Sequence, residues 1–304
     1  MSGPDTQPET PGVLRVRGAG LELAVQEHVP WRPGAETVLF VHGYPDDHRV
    51  WDRVVAALPH DELHLVTYDV RGAGDSDVPA HRSGYHTDLL VQDLAAVVEA
   101  TVPAGAQVHL VGHDWGSVQA WDAVNAERGD PRLKGRIASY TSMSGPSLDQ
   151  VAALDGSAGR LRLVWQRLHS WYIYLFLLPV LPETIWRVFH RQLAWAIARS
   201  ERRPDTHWGP ELVPNAVHGL NLYRANVLRR LRERGALRTD VPVLLLQPRH
   251  DRYVTPVVHE GLERRCGSLR RVEVPAGHWM PQTRPDEVAA LVLAHVRAHR
   301  GRDA

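Results

Sequence analysis

Asp114 stands between two glycines in Gly112-His113-Asp114-Trp115-Gly116. The aliphatic run Val108–Gly112 leads into it, and a helical pattern, Ser117–Glu127, leads away. A chain that turns sharply from strand to helix holds the residue at the turn in a strained, exposed position, and flanking glycines leave room for the neighbouring elements. The helix N-terminus favours the carboxylate anion, the nucleophilic form of the acid. Serine is the usual residue at such a turn, but no G-x-S-x-G occurs in the chain, and Ser117 comes three residues too late. An aspartate N-cap after a strand is also common, so the pentapeptide needs partners before it implies chemistry.

Two partners follow in the chain. Asp251, in Arg249-His250-Asp251-Arg252-Tyr253-Val254, comes after the aliphatic run Val243–Gln247. His278, in Ala276-Gly277-His278-Trp279, comes after Leu269–Val274. The order nucleophile, acid, histidine is that of a triad in which the acid orients the imidazole and stabilises its charged form. A loop histidine bonded to backbone and a turn aspartate are the structural alternatives. His42-Gly43-Tyr44-Pro45 ends another apolar run, Thr37–His42. The N–H groups of Tyr44 and Trp115 are the expected donors to an oxyanion.

These residues need a scaffold that brings loop ends together. Short aliphatic runs alternate with helical patterns along most of the chain, which predicts an α/β fold with a mostly parallel sheet and helices on both faces. Strands are expected at Val13–Val16, Leu21–Val25, Thr37–His42, Leu63–Asp69, Val108–Gly112, Ile137–Met143, Val243–Gln247 and Leu269–Val274. Helices are expected at Val50–Ala57, His86–Thr101, Ser117–Glu127 and Pro285–Arg300. Residues 146–239 show helical patterns without a convincing strand and hold Trp165, Trp171, Trp186, Trp195 and Trp208. This block is expected to cap the carboxyl edge of a core formed by 13–145 and 240–304. Ligands of open α/β sheets bind at that edge. Residues 1–12, polar and proline-rich, are expected to form a loose tail.

Composition narrows the function classes. Lys+Arg and Asp+Glu are both 35 in 304 residues, so no global basic field for nucleic acid is present. Cys266 is the single cysteine, which excludes an intramolecular disulfide and, without a secretory pattern, fits a reducing cytosol. The longest apolar stretch, Trp171 to Pro182, is far short of the ~20 residues of a membrane span. A buried helix lining the pocket is the expectation for it, in preference to a membrane-surface or partner-binding role. His60/His64 and His295/His299 lack the third ligand of a metal site and read as surface residues. Arg229-Arg230 and Arg264-Arg265 read as solvated helix faces. Asp69-Val70-Arg71-Gly72-Ala73-Gly74 lacks the spacing of a phosphate loop. Neither a cofactor nor a metal is expected.

Taken together, HGYP at 42–45, DVRGAGDS at 69–76, GHDWGS at 112–117, the Asp251 loop and GHW at 277–279 resemble the epoxide hydrolases of the α/β-hydrolase fold. The resemblance runs from about Val13 to the C-terminus. It extends to two tyrosines that in this family bind the epoxide oxygen. Tyr172 stands in a Y-x-x-x-F-x-x-P pattern ending at Phe176 and Pro179, with Tyr174 as the alternative, and Tyr223 stands in Asn221-Leu222-Tyr223-Arg224. Phe176 and Trp279 are then expected to line the substrate. GYPDDHRVWD, HDWGSVQAW and SWYIYLF carry a finer likeness to the hydrolase half of bacterial fusions with a short-chain dehydrogenase. No dinucleotide fingerprint is found in this chain, and Ser117 replaces the glycine that commonly follows DWG.

The resemblance implies hydrolysis of a hydrophobic epoxide to a diol through an aspartyl ester. Attack by serine would leave an ether, whereas an aspartyl ester is cleaved at its own carbonyl. Haloalkane dehalogenase is the nearest rival, but that family often places Asn where this chain has Tyr44 and usually adds a second halide donor beside Trp115. Fluoroacetate-type dehalogenases usually carry Arg at the Trp115 position. A catalytically silent binding protein is the rival from another class; such proteins usually lose a triad member.

Overall fold

The computed structural model describes residues 13–154, 166, 168–203, 207–233 and 235–300. The expected tail and Trp165 lie outside these residues. Eight strands form one sheet: β1 (Val13–Arg17), β2 (Glu22–Val29), β3 (Glu36–Val41), β4 (Leu63–Tyr68), β5 (Val108–His113), β6 (Ile137–Met143), β7 (Val243–Pro248) and β8 (Leu269–Val274). Their spatial order is β1-β2-β4-β3-β5-β6-β7-β8. The β1–β2 and β2–β4 pairs are antiparallel, and every pair from β4 onward is parallel.

Burial on both faces explains the unbroken apolar runs. Every residue of β4 and β5 is buried, as expected for central strands covered by helices on both sides. The alternation of side chains divides the core in two. Leu39, Val41 and Leu245 point into one cluster, with Leu94, Val98 and Trp121 from the helices Thr87–Thr101 and Trp115–Ala126. Val38, Phe40 and Leu246 point into the other, with Val54, Val288 and Val292 from the helices Asp52–Ala56 and Pro285–Ala298. The edge strands β1 and β8 are mostly uncovered and carry arginines, which discourages edge-to-edge pairing.

Between β6 and β7 the described residues contain the helices Leu148–Ala152, Trp171–Leu177, Leu181–Ser200 and Leu212–Glu233. The last buries Leu212, Asn215, Ala216, Gly219, Leu220, Leu222, Tyr223, Ala225 and Asn226, a stripe at helical spacing. Polar ties fix this helix to the core. Asn226 accepts from Thr87 N–H at 3.0 Å and donates to the Tyr85 carbonyl at 2.7 Å, and Asn215 accepts from Gly74 N–H at 2.9 Å.

Several expectations fail here, each because a distant element supplies what local sequence cannot show. Arg230 is no solvated helix residue: it meets Asp122 at 2.8 Å and Asp149 at 2.9 Å with its side chain 13% exposed. His64 lies on β4, not on a helix, buried between Thr37 and Glu27. His295 is buried against the Pro242 carbonyl. No residue of the helix Trp171–Leu177 is buried as a whole, although Tyr172, Ile173 and Phe176 are partly buried against the core. One of its sides meets the interior, and Trp171 and Tyr174 remain mostly exposed.

Candidate active site

Tyr44, Asp114, Asp251 and His278 all follow the carboxyl ends of parallel strands, β3, β5, β7 and β8 respectively, where loops diverge and leave a crevice. Asp114 has φ 51° and ψ −122°, a strained region for a side chain with a Cβ. Glycine is required beside it: a Cβ on Gly116 would run into the Val41 and His42 carbonyls. Asp114 Oδ1 accepts the Tyr44 N–H at 2.7 Å. Its other oxygen, Oδ2, lies 3.5 Å from His278 Nε2. Trp115 opens the following helix, where backbone N–H groups have no partner within the helix.

His278 Nδ1 donates to both Asp251 oxygens, at 3.1 and 3.0 Å. Asp251 also accepts from the N–H groups of Tyr253 at 2.8 Å and Val254 at 3.0 Å. Burial alone would depress the imidazole pKa. The Asp251 charge, and then the hydrogen bond and charge of Asp114, outweigh it and hold His278 well above its usual value. Burial likewise opposes the Asp251 anion, but His278 and the two N–H donors keep its pKa below the usual range.

Tyr172 and Tyr223 approach this set from the helical insertion. Their rings lie 6.2 Å apart; Tyr223 packs 5.0 Å from Trp115 and Tyr172 packs 5.4 Å from Tyr253. Burial, and then the charge of Asp114, raises both phenol pKa values well above 10. Tyr174 is 60% exposed. Arg224 ties its own helix to the other two: Nε donates to the Phe176 carbonyl at 2.8 Å, and the guanidinium pairs with Glu183 at 2.5 and 3.0 Å.

Two lobes flank Asp114, Tyr172 and Tyr223. The larger, 320 Å³, is lined mainly by aliphatic side chains such as Val118, Leu148, Val151, Ile173, Val227 and Leu228. The smaller, 180 Å³, is bounded by Trp171, Phe176, Trp186, His278 and Trp279. Elsewhere, ligand atoms of Asp47, His48 and Asp69 lie within 4.8 Å of one another. Asp47 is already bound by Arg49, and Asp69 by His48.

A strained strand-to-helix turn with a nucleophile, followed by acid and histidine loops on later strands, matches a known architecture. The profile of the alpha/beta hydrolase fold covers residues 36–285. The chain belongs to the α/β-hydrolase fold family. It is 35% identical over 290 residues to the probable oxidoreductase EphD of Mycobacterium tuberculosis, a match covering 90% of this chain and 47% of that protein. The chain thus spans about half the length of that curated relative. It is 27% identical to epoxide hydrolase A of the same organism, over 90% of this chain and 94% of that one. Among solved structures, a Vigna radiata epoxide hydrolase mutant superposes with a TM-score of 0.75 at 22% identity, covering 96% of this chain and all of that one.

Within this α/β-hydrolase framework, two buried carboxylates escaped the reading of the sequence. Asp46 accepts from His207 Nε2 and Trp208 Nε1, each at 2.7 Å, and from Trp279 Nε1 at 3.0 Å. Burial opposes its charge, but His207 and the other donors hold its pKa down to about 2. Glu201, at the end of the helix Leu181–Ser200, accepts the N–H groups of His278 and Trp279, each at 3.2 Å. The first directly follows the HGYP motif, which was a local signal. Glu201 had none, because its partners lie 77 and 78 residues away.

Proposed function

We propose that this protein hydrolyses a hydrophobic epoxide to a vicinal diol through an ester on Asp114. The observation that carries this reading is a carboxylate, not a hydroxyl, at the strained turn, with two neutral, desolvated phenols beside it and a histidine–aspartate pair behind it. In this reading residues 146–239 act as a cap over a core of 13–145 and 240–304.

Tyr44 N–H occupies Oδ1, so Oδ2 attacks an epoxide carbon and the C–O bond to the ring oxygen breaks. Tyr172 and Tyr223 donate to that oxygen. Their raised pKa values keep them protonated at neutral pH, so a proton passes only once an alkoxide, a far stronger base, has developed. The phenolate regains its proton from the resting imidazolium, which leaves His278 neutral for the water step. Water then attacks the ester carbonyl and gives its proton to His278 Nε2. The N–H groups of Tyr44 and Trp115 stabilise the tetrahedral oxyanion, a role worth about 3–4 kcal/mol per donor in comparable sites. On collapse the departing oxygen takes the proton left on the Asp114 carboxyl, which releases the diol and restores the carboxylate beside a protonated His278. Phe176 and Trp279 contact the substrate in the smaller lobe.

The test measures diol formation from aryl and aliphatic epoxides, and halide release from haloalkanes of similar size, with wild type and Asp114→Asn. Diol formation that depends on Asp114, without halide release, is expected. His278→Gln should retain the substrate as a mass increase on Asp114. Halide release alone, or turnover untouched by Asp114→Asn, would sink the reading.

A further inference from the structure

The helices Trp171–Leu177 and Leu181–Ser200 meet at 116°, and the outer side of this wedge is conspicuously apolar. Val180 is 70% exposed and Trp195 65%; Leu178, Leu181, Val188 and Phe189 are exposed as well, and Trp171 and Tyr174, which border the two lobes, stay 63% and 60% exposed. Such a concentration on one surface marks an interaction site, whereas scattered exposed side chains do not. The inner side of the same helices lines the smaller reaction lobe through Tyr172, Phe176, Pro182, Ile185 and Trp186. The surface therefore adjoins the reaction cavity.

Charge identifies the occupant. From Trp171 to Arg203 the only acidic residues are Glu183, paired with Arg224, and Glu201, which is buried. Arg187, Arg191, Arg199 and Arg202 are exposed and make no ion pair among the described residues. Arg199 stacks over the exposed Trp195 at 6.0 Å, and with Arg191 the two border a surface groove of 590 Å³. A second copy of this chain would oppose arginine with arginine. Arginines among tryptophan, phenylalanine and aliphatic side chains fit the boundary between lipid headgroups and acyl chains.

We propose that this wedge docks on an anionic lipid bilayer surface, its apolar tip Leu178–Leu181 in the acyl boundary and its arginines among the phosphates. Among the described residues no single helix is long and apolar enough to cross a membrane, and the two helices of the wedge reach that length and composition only as a pair bent by 116°; the association proposed is with the bilayer surface. It is independent of the chemistry at Asp114, and it places a cavity for apolar molecules beside a phase that dissolves them.

Co-sedimentation of the intact protein with phosphatidylcholine vesicles, with and without phosphatidylglycerol, tests this directly. Binding should require the anionic lipid and weaken from 0.05 to 0.5 M salt, because headgroup attraction is screened over the Debye length. Val180→Asp with Val188→Asp should weaken it at least about tenfold. Arg187→Glu should weaken it about fivefold or more. None of these positions lines the reaction lobes, so turnover of a water-soluble substrate should be unchanged. Absence of vesicle binding would overturn the proposal, as would binding that all three substitutions leave intact. Loss of self-association in the Val180/Val188 variant, without vesicle binding by wild type, would assign the surface to a second copy instead.

Discussion

His278 sits between two carboxylates, Asp251 on Nδ1 and Asp114 facing Nε2. That arrangement holds the imidazole protonated in the resting site, although the proposed second step needs it neutral. Esterification resolves the conflict, because the charge on Asp114 vanishes when the ester forms and one support of the imidazolium is lost. The pKa of His278 should therefore fall in the ester. Hydrolysis of a preformed ester, followed in single-turnover mixing, should rise with pH through an apparent pKa below that of the resting imidazole measured by nitrogen NMR. Equal values in the two states would refute this coupling. The same shift links to stability. The native pKa is raised, so the contribution of His278 is complete below the unfolded value of about 6.5 and is lost as pH rises through the native pKa.

At the scale of elements, the His278 loop after β8 is held from outside the core. Glu201 closes the helix Leu181–Ser200 and binds the two backbone N–H groups that open the loop at His278 and Trp279. Gly277 makes the approach possible, because a Cβ there would collide with the Glu201 carboxylate. Glutamine at 201 keeps one acceptor but sets an NH₂ against the second N–H, an unfavourable pairing for a buried donor. Glu201→Gln should slow ester hydrolysis about tenfold while ester formation and substrate binding change little. Rapid-mixing kinetics separates the two steps. Equal loss in both would indicate general unfolding of the loop, and no loss would remove Glu201 from the account.

For the molecule as a whole, sheet and insertion together shape an asymmetric cavity. Asp114 and the two phenols occupy the junction between an aliphatic lobe of 320 Å³ and an aromatic one of 180 Å³. In the proposed reaction the larger lobe is expected to take the bulky apolar group of an epoxide substituted on one carbon. Val227→Trp, on the helix that also carries Tyr223, should lower kcat/KM for such a substrate about tenfold or more and leave a methyl-substituted epoxide nearly unaffected. Equal effects on both would mean that the larger lobe does not receive the substituent.

The chain pattern by itself determined the α/β class, the parallel strands and the three loops bearing Asp114, Asp251 and His278. Each is encoded within a few residues: an apolar run long enough for a buried strand, then a glycine or polar turn. Tertiary structure alone decided which carboxylates are buried at the site beyond Asp114 and Asp251, because a buried charge takes its meaning from partners far away in sequence. Glu201, Asp46 and the Arg230 cluster are such cases, and the burial of His64 and His295 follows the same logic. Helix orientation sets Tyr172 against Tyr223 and Tyr253, whereas Tyr174, 60% exposed, borders the larger lobe from the surface. The apolar run Trp171–Pro182 looked like one buried helix because composition reports how apolar a segment is. Which of its sides finds a partner depends on where the rest of the chain packs.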